Sequence, residues 1–164
     1  MTEQALAGLK VVEFGEFIAA PYCTKLMADL GAEVIKIERP SFGDESRKFG
    51  PFPGDDPHPE RSGLFLYLNA NKLGVTLDLH SATGQDILKQ LLKDADILVE
   101  SNFPGEMKEL GLDYASLREV NPRLIVTSIT PYGQTGPYRD YKGYAINTAA
   151  LGGMSMRTGE ANRE

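Results

Sequence analysis

The chain has 164 residues, 41% of them hydrophobic, and a formal net charge of -6. That length supports one domain with its own core, and the acidic balance argues against a nucleic-acid partner, because phosphate binding by a surface needs a basic excess. A single cysteine, Cys23, excludes an internal disulfide and fits a reducing, cytoplasmic setting, while the polar start Met1-Thr2-Glu3-Gln4 is no secretory signal and no apolar run approaches the ~20 residues of a membrane span.

In chain order, Val11, Val12 and Phe14 read as a strand, followed by a turn and a helix from about Pro21 to Leu30. A second strand holds Val34, Ile35 and Ile37 and ends at Arg39-Pro40. Ser41 to Ser62, rich in proline and glycine, has no periodicity and is too long for a plain connector, so it reads as functional or disordered. Leu64 to Leu68 is an apolar segment, and Val75 to Leu79 a third strand. Ser81 can cap a helix that places Ile87, Leu88, Leu91, Leu92 and Ala95 on one stripe.

Ile97 to Val99 is the fourth strand. Pro104 opens a short helix ending near Leu110-Gly111, and Tyr114 to Val120 forms another, stopped by Asn121-Pro122. Leu124 to Ile129 is a nearly continuous β-branched run, the pattern of a strand buried on both faces. Ala145 to Met156 reads as a helix of small residues. Nothing around Ala161-Asn162-Arg163-Glu164 closes a domain, so the expectation is a piece of a longer polypeptide.

Strands alternating with helices predict a parallel α/β sheet with ligands at the carboxyl ends of its strands. The loops after Phe14, Ile37, Val99 and Ile129 are then the ones to examine. The first carries only Gly15, so a dinucleotide fingerprint is absent. Ala19 and Ala20 either admit a ligand to a helix N-terminus or simply pack helix on sheet. Arg39 either forks onto a phosphate or pairs with Glu38 or Asp44 at the surface. Lys36, Arg47 and Lys48 make this stretch basic, but Glu38, Asp44 and Glu45 nearly cancel it.

Asn69-Ala70-Asn71-Lys72 is either an ordinary turn or a cluster of donors. His58 and His80 lack partners at metal-ligand spacing, so no metal is expected. Cys23 reads as a buried structural thiol, and no residue identifies itself as catalytic.

Many short stretches, in order, resemble the family III coenzyme A transferases, the relatives of formyl-CoA transferase, carnitine CoA-transferase and α-methylacyl-CoA racemase. They run from Val11 to Pro40 and through Gly43-Asp44 with Arg47, then Phe65 to Lys72, Val75 to Leu79 and Ala95 to Glu100. Further matches are Pro104-Gly105, Leu110-Gly111-Leu112, Asn121 to Ile125 and Tyr132 to Tyr138.

The resemblance implies a Rossmann-like parallel sheet with helices on both faces. Residues 1–164 would be the N-terminal part of a large CoA-binding domain, with the small domain and the remaining large-domain segment beyond it, and two full-length chains interlocked as linked rings. It implies an enzyme moving CoA from an acyl-CoA to a small carboxylic acid, with CoA as substrate and no covalently bound cofactor. By position, Ile18, Ala19 and Arg39 match contacts to the CoA nucleotide. Asn71 and Lys72 match a turn along the CoA tail, and Tyr132 a residue near the acyl group.

The family's nucleophilic aspartate would fall beyond Glu164, so residues 1–164 alone are expected to be inactive. An acyl-CoA racemase and a non-catalytic CoA-binding module are the alternative readings. The chain departs from the family at Glu100-Ser101-Asn102-Phe103-Pro104-Gly105, where an arginine often precedes Pro-Gly. It departs again at Glu109, where a basic residue often stands, with Lys108 one place earlier. Both changes put phosphate contacts of that loop in doubt.

Overall fold

The computed structural model describes residues 4–159; Met1–Glu3 and Glu160–Glu164 lie outside the described residues. Five strands form one parallel sheet: β1 (Lys10–Phe14), β2 (Glu33–Glu38), β3 (Lys72–Thr76), β4 (Ile97–Glu100) and β5 (Ile125–Ser128). The helices are α1 (Ala19–Asp29), α2 (Gly63–Leu68), α3 (Ala82–Lys93), α4 (Glu106–Glu109), α5 (Tyr114–Val120) and α6 (Ala145–Leu151). The strand order is β3-β2-β1-β4-β5. The chain winds outward in one direction from β1 and then in the other from β4, so the switch point lies between these two strands, where such sheets bind ligands.

Period-two alternation sorts the strand residues onto two faces. Val12, Ile37 and Leu98 pack with Leu88 and Leu92 of α3 and Leu117 of α5. Val11, Val34 and Val99 pack with Ala20 and Ala28 of α1, whose small side chains bring that helix close to the sheet. The Ser81 hydroxyl accepts from Gly84 N–H and caps α3, as its sequence predicts. Within the predicted stripe Leu88 and Leu92 are fully buried, but Ile87 is 38% exposed and Gly84 takes the inward place instead.

Three expectations are corrected, for β3, β5 and the last helix, and a fourth, for Ser41 to Ser62, is narrowed. β3 begins at Lys72 rather than Val75, because pairing with β2 sets Lys72 opposite Val34 and Thr76 opposite Glu38. Leu77 and Leu79 then turn into the core. Among the described residues β5 stands at the edge of the sheet, and Ile125 is 59% exposed there rather than buried on both sides. Ser41 to Ser62 is ordered, with short 3-10 turns at Glu45–Lys48, Pro53–Asp55 and Pro59–Arg61. The apolar segment after it is the helix α2, with the Ser62 hydroxyl accepting from Phe65 N–H as its cap. The last predicted helix is shorter than expected: α6 ends at Leu151, and Ser155–Arg157 is a separate 3-10 turn.

Candidate functional site

The loop from β1 to α1 crosses the switch point. Gly15 is required there by close approach: a Cβ would lie 2.4 Å from the Ala20 Cβ and 2.6 Å from the Ser101 Oγ. Glu16 N–H donates to that Ser101 hydroxyl, so the loops after β1 and β4 are tied together. Two cavities share this seam. One, of about 630 Å³, is lined by Phe14, Glu16, Arg39, His80, Ser101, Asn102, Phe103, Glu106 and Glu109. The other, of about 530 Å³, is lined by Phe17, Ile18, Ala19, Ile129, Thr130, Pro131, Tyr144, Ala145 and Thr148, and shares Glu16 and Ser101–Phe103 with the first. The first is charged and the second largely apolar.

Arg39 is half exposed and forks onto Glu16, at 2.6 Å from Nε and 2.8 Å from an Nη. The predicted surface pairing therefore exists, but with Glu16 rather than Glu38 or Asp44. Burial pushes the Glu16 carboxyl above its ordinary range, and Arg39 offsets this only in part. Ala20 is fully buried against the sheet, whereas Ala19 faces the apolar cavity, so packing and open approach fall to adjacent residues. α1 has no capping side chain and no acid in its first turn, leaving its N-terminal end open beside Ile18. The Thr130 hydroxyl is buried without a hydrogen-bond partner among the described residues, at the wall of the apolar cavity.

Beneath this loop lies a buried charge network. Glu13 and Lys36 are register partners on neighbouring strands. Glu13 Oε1 accepts from Lys36 Nζ at 2.7 Å, and Oε2 from Lys72 Nζ at 2.7 Å and Thr24 Oγ1 at 2.5 Å. Lys36 Nζ also pairs with Asp44 Oδ2 at 2.7 Å and donates to Gly15 O at 3.0 Å. Burial alone would lower the Lys36 ammonium, but Glu13 and Asp44 together hold it above its ordinary value. For Lys72 burial prevails over Glu13, and its value falls. Burial likewise pushes Asp44 up, and Lys36 with Ser46 outweighs it, so the carboxyl lies below its usual range.

The cancellation visible in the sequence is realised as pairs: Lys36 with Asp44, Arg47 with Glu38, and Lys48 with Glu45. Arg47 engages both Glu38 oxygens, at 2.7 and 2.9 Å, and lies 3.5 Å from the Phe65 ring centroid. Ser41 to Ser62 is thereby fastened to β2 and α2.

Of the residues singled out from sequence, Ile18, Ala19 and Arg39 meet around the shared seam. Tyr132 lines neither cavity, though its neighbour Pro131 does. Asn71 and Lys72 stand at the amino end of β3, away from the seam. Asn71 Nδ2 donates to Asp29, and the Lys72 ammonium turns inward to Glu13, Pro21 O and Asn69. Glu16, His80 and Ser101 line the crevice without having been singled out as ligand contacts; their places after strand ends, or within the departing Glu100–Gly105 loop, were the available signals. Glu109, noted from sequence as standing where a basic residue often does, lines it as well. Cys23 is half-buried on α1, and burial together with Glu13 pushes its thiol up, away from nucleophilic character. Among the described residues no group of His, Cys, Asp or Glu could hold a metal, and no helix is long and apolar enough to cross a membrane.

Comparison with known proteins agrees with this geometry. Residues 6–164 match the family described as CoA-transferase family III. The chain is 40% identical over 159 residues to the succinyl-CoA–L-malate CoA-transferase beta subunit of Chloroflexus aurantiacus, covering 96% of this chain and 38% of that protein. It is 38% identical over 158 residues to the human succinyl-CoA:glutarate CoA-transferase, covering 96% of this chain and 35% of that one. A CAIB/BAIF family protein from Brucella suis superposes with a TM-score of 0.89 at 37% identity, over 99% of this chain and 43% of that structure. The chain thus spans little more than a third of the length of these curated relatives. It belongs to CoA-transferase family III.

Proposed function

We propose that this chain supplies the acyl-CoA-binding part of a cytoplasmic enzyme that moves CoA from an acyl-CoA to a small carboxylic acid. The observation that carries this reading is the pair of joined cavities at the switch point, one charged and one apolar. CoA has a comparable division, a phosphorylated nucleotide and a less polar thioester arm. Because Glu16, Glu106 and Glu109 outnumber Arg39 in the charged cavity, the phosphates are assigned to Arg39 and the α1 end rather than to that cavity as a whole. Arg39 exchanges Glu16 for a phosphate, a charge-assisted contact that its fork geometry suits. Ile18 and Ala19 border the open end of α1, where free N–H groups favour an anion. Tyr132 stands near the acyl group. Asn71 contributes along the CoA tail from its exposed turn, and Lys72 supports that turn from inside.

The nucleophile belongs to the part of the family's length that this chain does not span. There a carboxylate attacks the thioester to give a mixed anhydride and free CoA thiolate. The thiolate attacks the enzyme-side carbonyl, releasing the donor acid and leaving an enzyme thioester. The acceptor carboxylate then displaces the thiolate, forming a new mixed anhydride, and the thiolate attacks its acyl carbonyl to give the new acyl-CoA and the free enzyme carboxylate. A second domain and an interlocked pair of full-length chains belong to the same reading. That the relatives named above are CoA-transferases favours transfer over racemisation.

The test is to incubate the full-length enzyme with succinyl-CoA and a panel of carboxylic acids and to follow new acyl-CoA by mass. Transfer that requires both substrates is expected, with no turnover by residues 1–164 alone. Failure of the full-length enzyme to bind any acyl-CoA would refute the reading.

A further inference from the structure

The buried network reaches the crevice through backbone atoms. Asp44 is 1% exposed. Its Oδ1 accepts from Phe17 N–H at 3.1 Å, besides Ser46 N–H at 2.7 Å and Ser46 Oγ at 2.6 Å. Its ion-pair partner Lys36 donates to Gly15 O. The pair thus grips the carbonyl on one side of Glu16 and the N–H on the other. Between these grips Glu16 projects into the crevice and meets Arg39. Phe17 is held at φ 66°, a left-handed conformation that a bulky side chain rarely adopts. Strain of this kind persists only where the surroundings over-determine it, and it gathers at ligand sites.

We propose that Asp44 is a positioning residue of the crevice: paired with Lys36, it clamps Gly15–Phe17 from beneath, keeps Phe17 left-handed and so presents Ile18 and Ala19 to the acyl-CoA. The claim about acyl-CoA rests on the function proposed above; the claim about the clamp does not. Asp44 touches no ligand in this account. Its effect passes through the backbone of the loop.

The test uses the full-length enzyme and variants at two positions. In Asp44→Ala the Phe17 amide should exchange its hydrogen at least about tenfold faster than in the parent, because its buried acceptor is gone. KM for succinyl-CoA should rise about tenfold or more, with KM for the acid acceptor changing less than about threefold. Adding Phe17→Gly should recover much of that KM, since glycine takes positive φ without strain, while the melting temperature stays low. Loss of folding alone would give no such rescue.

Phe17→Val and Phe17→Gly keep the clamp intact and decide the matter even if Asp44→Ala does not fold. Both variants remove the ring that lines the apolar cavity, but a β-branched residue also resists the left-handed region, so valine should raise KM for succinyl-CoA at least about threefold more than glycine does. Unchanged Phe17 amide exchange in folded Asp44→Ala, or equal KM in the valine and glycine variants, would overturn the proposal. If the parent binds no acyl-CoA, the functional reading falls and the ligand part of the proposal with it, whereas faster Phe17 exchange would still support the clamp.

Discussion

Lys36 and Arg39 both come from the end of β2, yet they occupy opposite worlds. The Lys36 side chain is 2% exposed and shares its charge between Glu13 and Asp44. The Arg39 side chain is 51% exposed and has one carboxylate partner in an open crevice. The β1–α1 loop separates them. Below it, Glu13, Asp44, Lys36 and Lys72 balance in sign, so the network is neutral only while every member is present. Above it, the Arg39–Glu16 pair can exchange partners with little effect on the fold. A basic residue near a ligand site is therefore not by itself a ligand contact; what decides is whether its charge is already fully engaged.

The largest expected effect breaks the lower region. Glu13→Gln leaves the Lys36 and Lys72 ammoniums without their shared carboxylate. Removing one partner from a buried pair typically costs about 3–5 kcal/mol. Denaturant unfolding should show a lower midpoint with an unchanged slope. A change below ~1 kcal/mol would mean that water reaches the network, and the contrast with Arg39 would disappear.

Next comes Asn121→Ala. This buried side chain donates to Leu92 O at 2.9 Å and Ala95 O at 2.8 Å, closing the end of α3. Orphaning both carbonyls should cost about 1–3 kcal/mol by the same measurement. It supplies a neutral yardstick: if Glu13→Gln costs no more than Asn121→Ala, burial of charge adds nothing special beneath the loop.

Acid sharpens the contrast further. Asp44 and Glu38 both lie below their ordinary values: burial raises each, but Lys36 with Ser46 outweighs it for Asp44, and Arg47 for Glu38. Their stabilisation is complete above the unfolded values of about 4 and is lost as pH falls through the lower folded values. Glu16 has the opposite sign, since its raised value lets the folded state take up a proton first. Melting temperature followed from about pH 6 to about pH 3 should therefore fall mainly below about pH 4. Glu16→Gln should leave that fall in place, and a fall centred above pH 5 would contradict the assignment.

Much of the sheet was legible because apolar runs such as Val11-Val12 and Ile97–Val99 mark central strands. Tyr114–Val120 was legible because Asn121-Pro122 stops it. The start of β3 was not, since Asn71-Lys72-Leu73-Gly74 has the composition of a turn and only pairing with β2 makes it a strand. The exposure of β5 was hidden because a β-branched run says nothing about its place in the strand order. For the site, strand-end logic found Arg39 and the α1 end but missed the clamp. Glu13 and Lys36 each interrupt an apolar strand, where alternation suggests a solvent-facing residue. Their burial depends on Asp44 arriving from a distant loop and Lys72 from the start of β3, which no local pattern records.

The smallest expected effect on stability accompanies the largest expected effect on binding. Arg39→Ala should change unfolding by no more than about 1 kcal/mol, as for other exposed ion pairs. Lys89 on α3 carries the same charge away from the crevice, so Lys89→Ala controls for lost charge. Calorimetric titration of both full-length variants with succinyl-CoA distinguishes a phosphate contact at Arg39 from a surface ion pair. Arg39→Ala should bind about tenfold to a hundredfold more weakly, equivalent to about 1.5–3 kcal/mol for a charge-assisted hydrogen bond, and Lys89→Ala should bind as the parent does. Equal dissociation constants for the two variants would contradict the phosphate contact and return Arg39 to the role of a surface ion-pair residue.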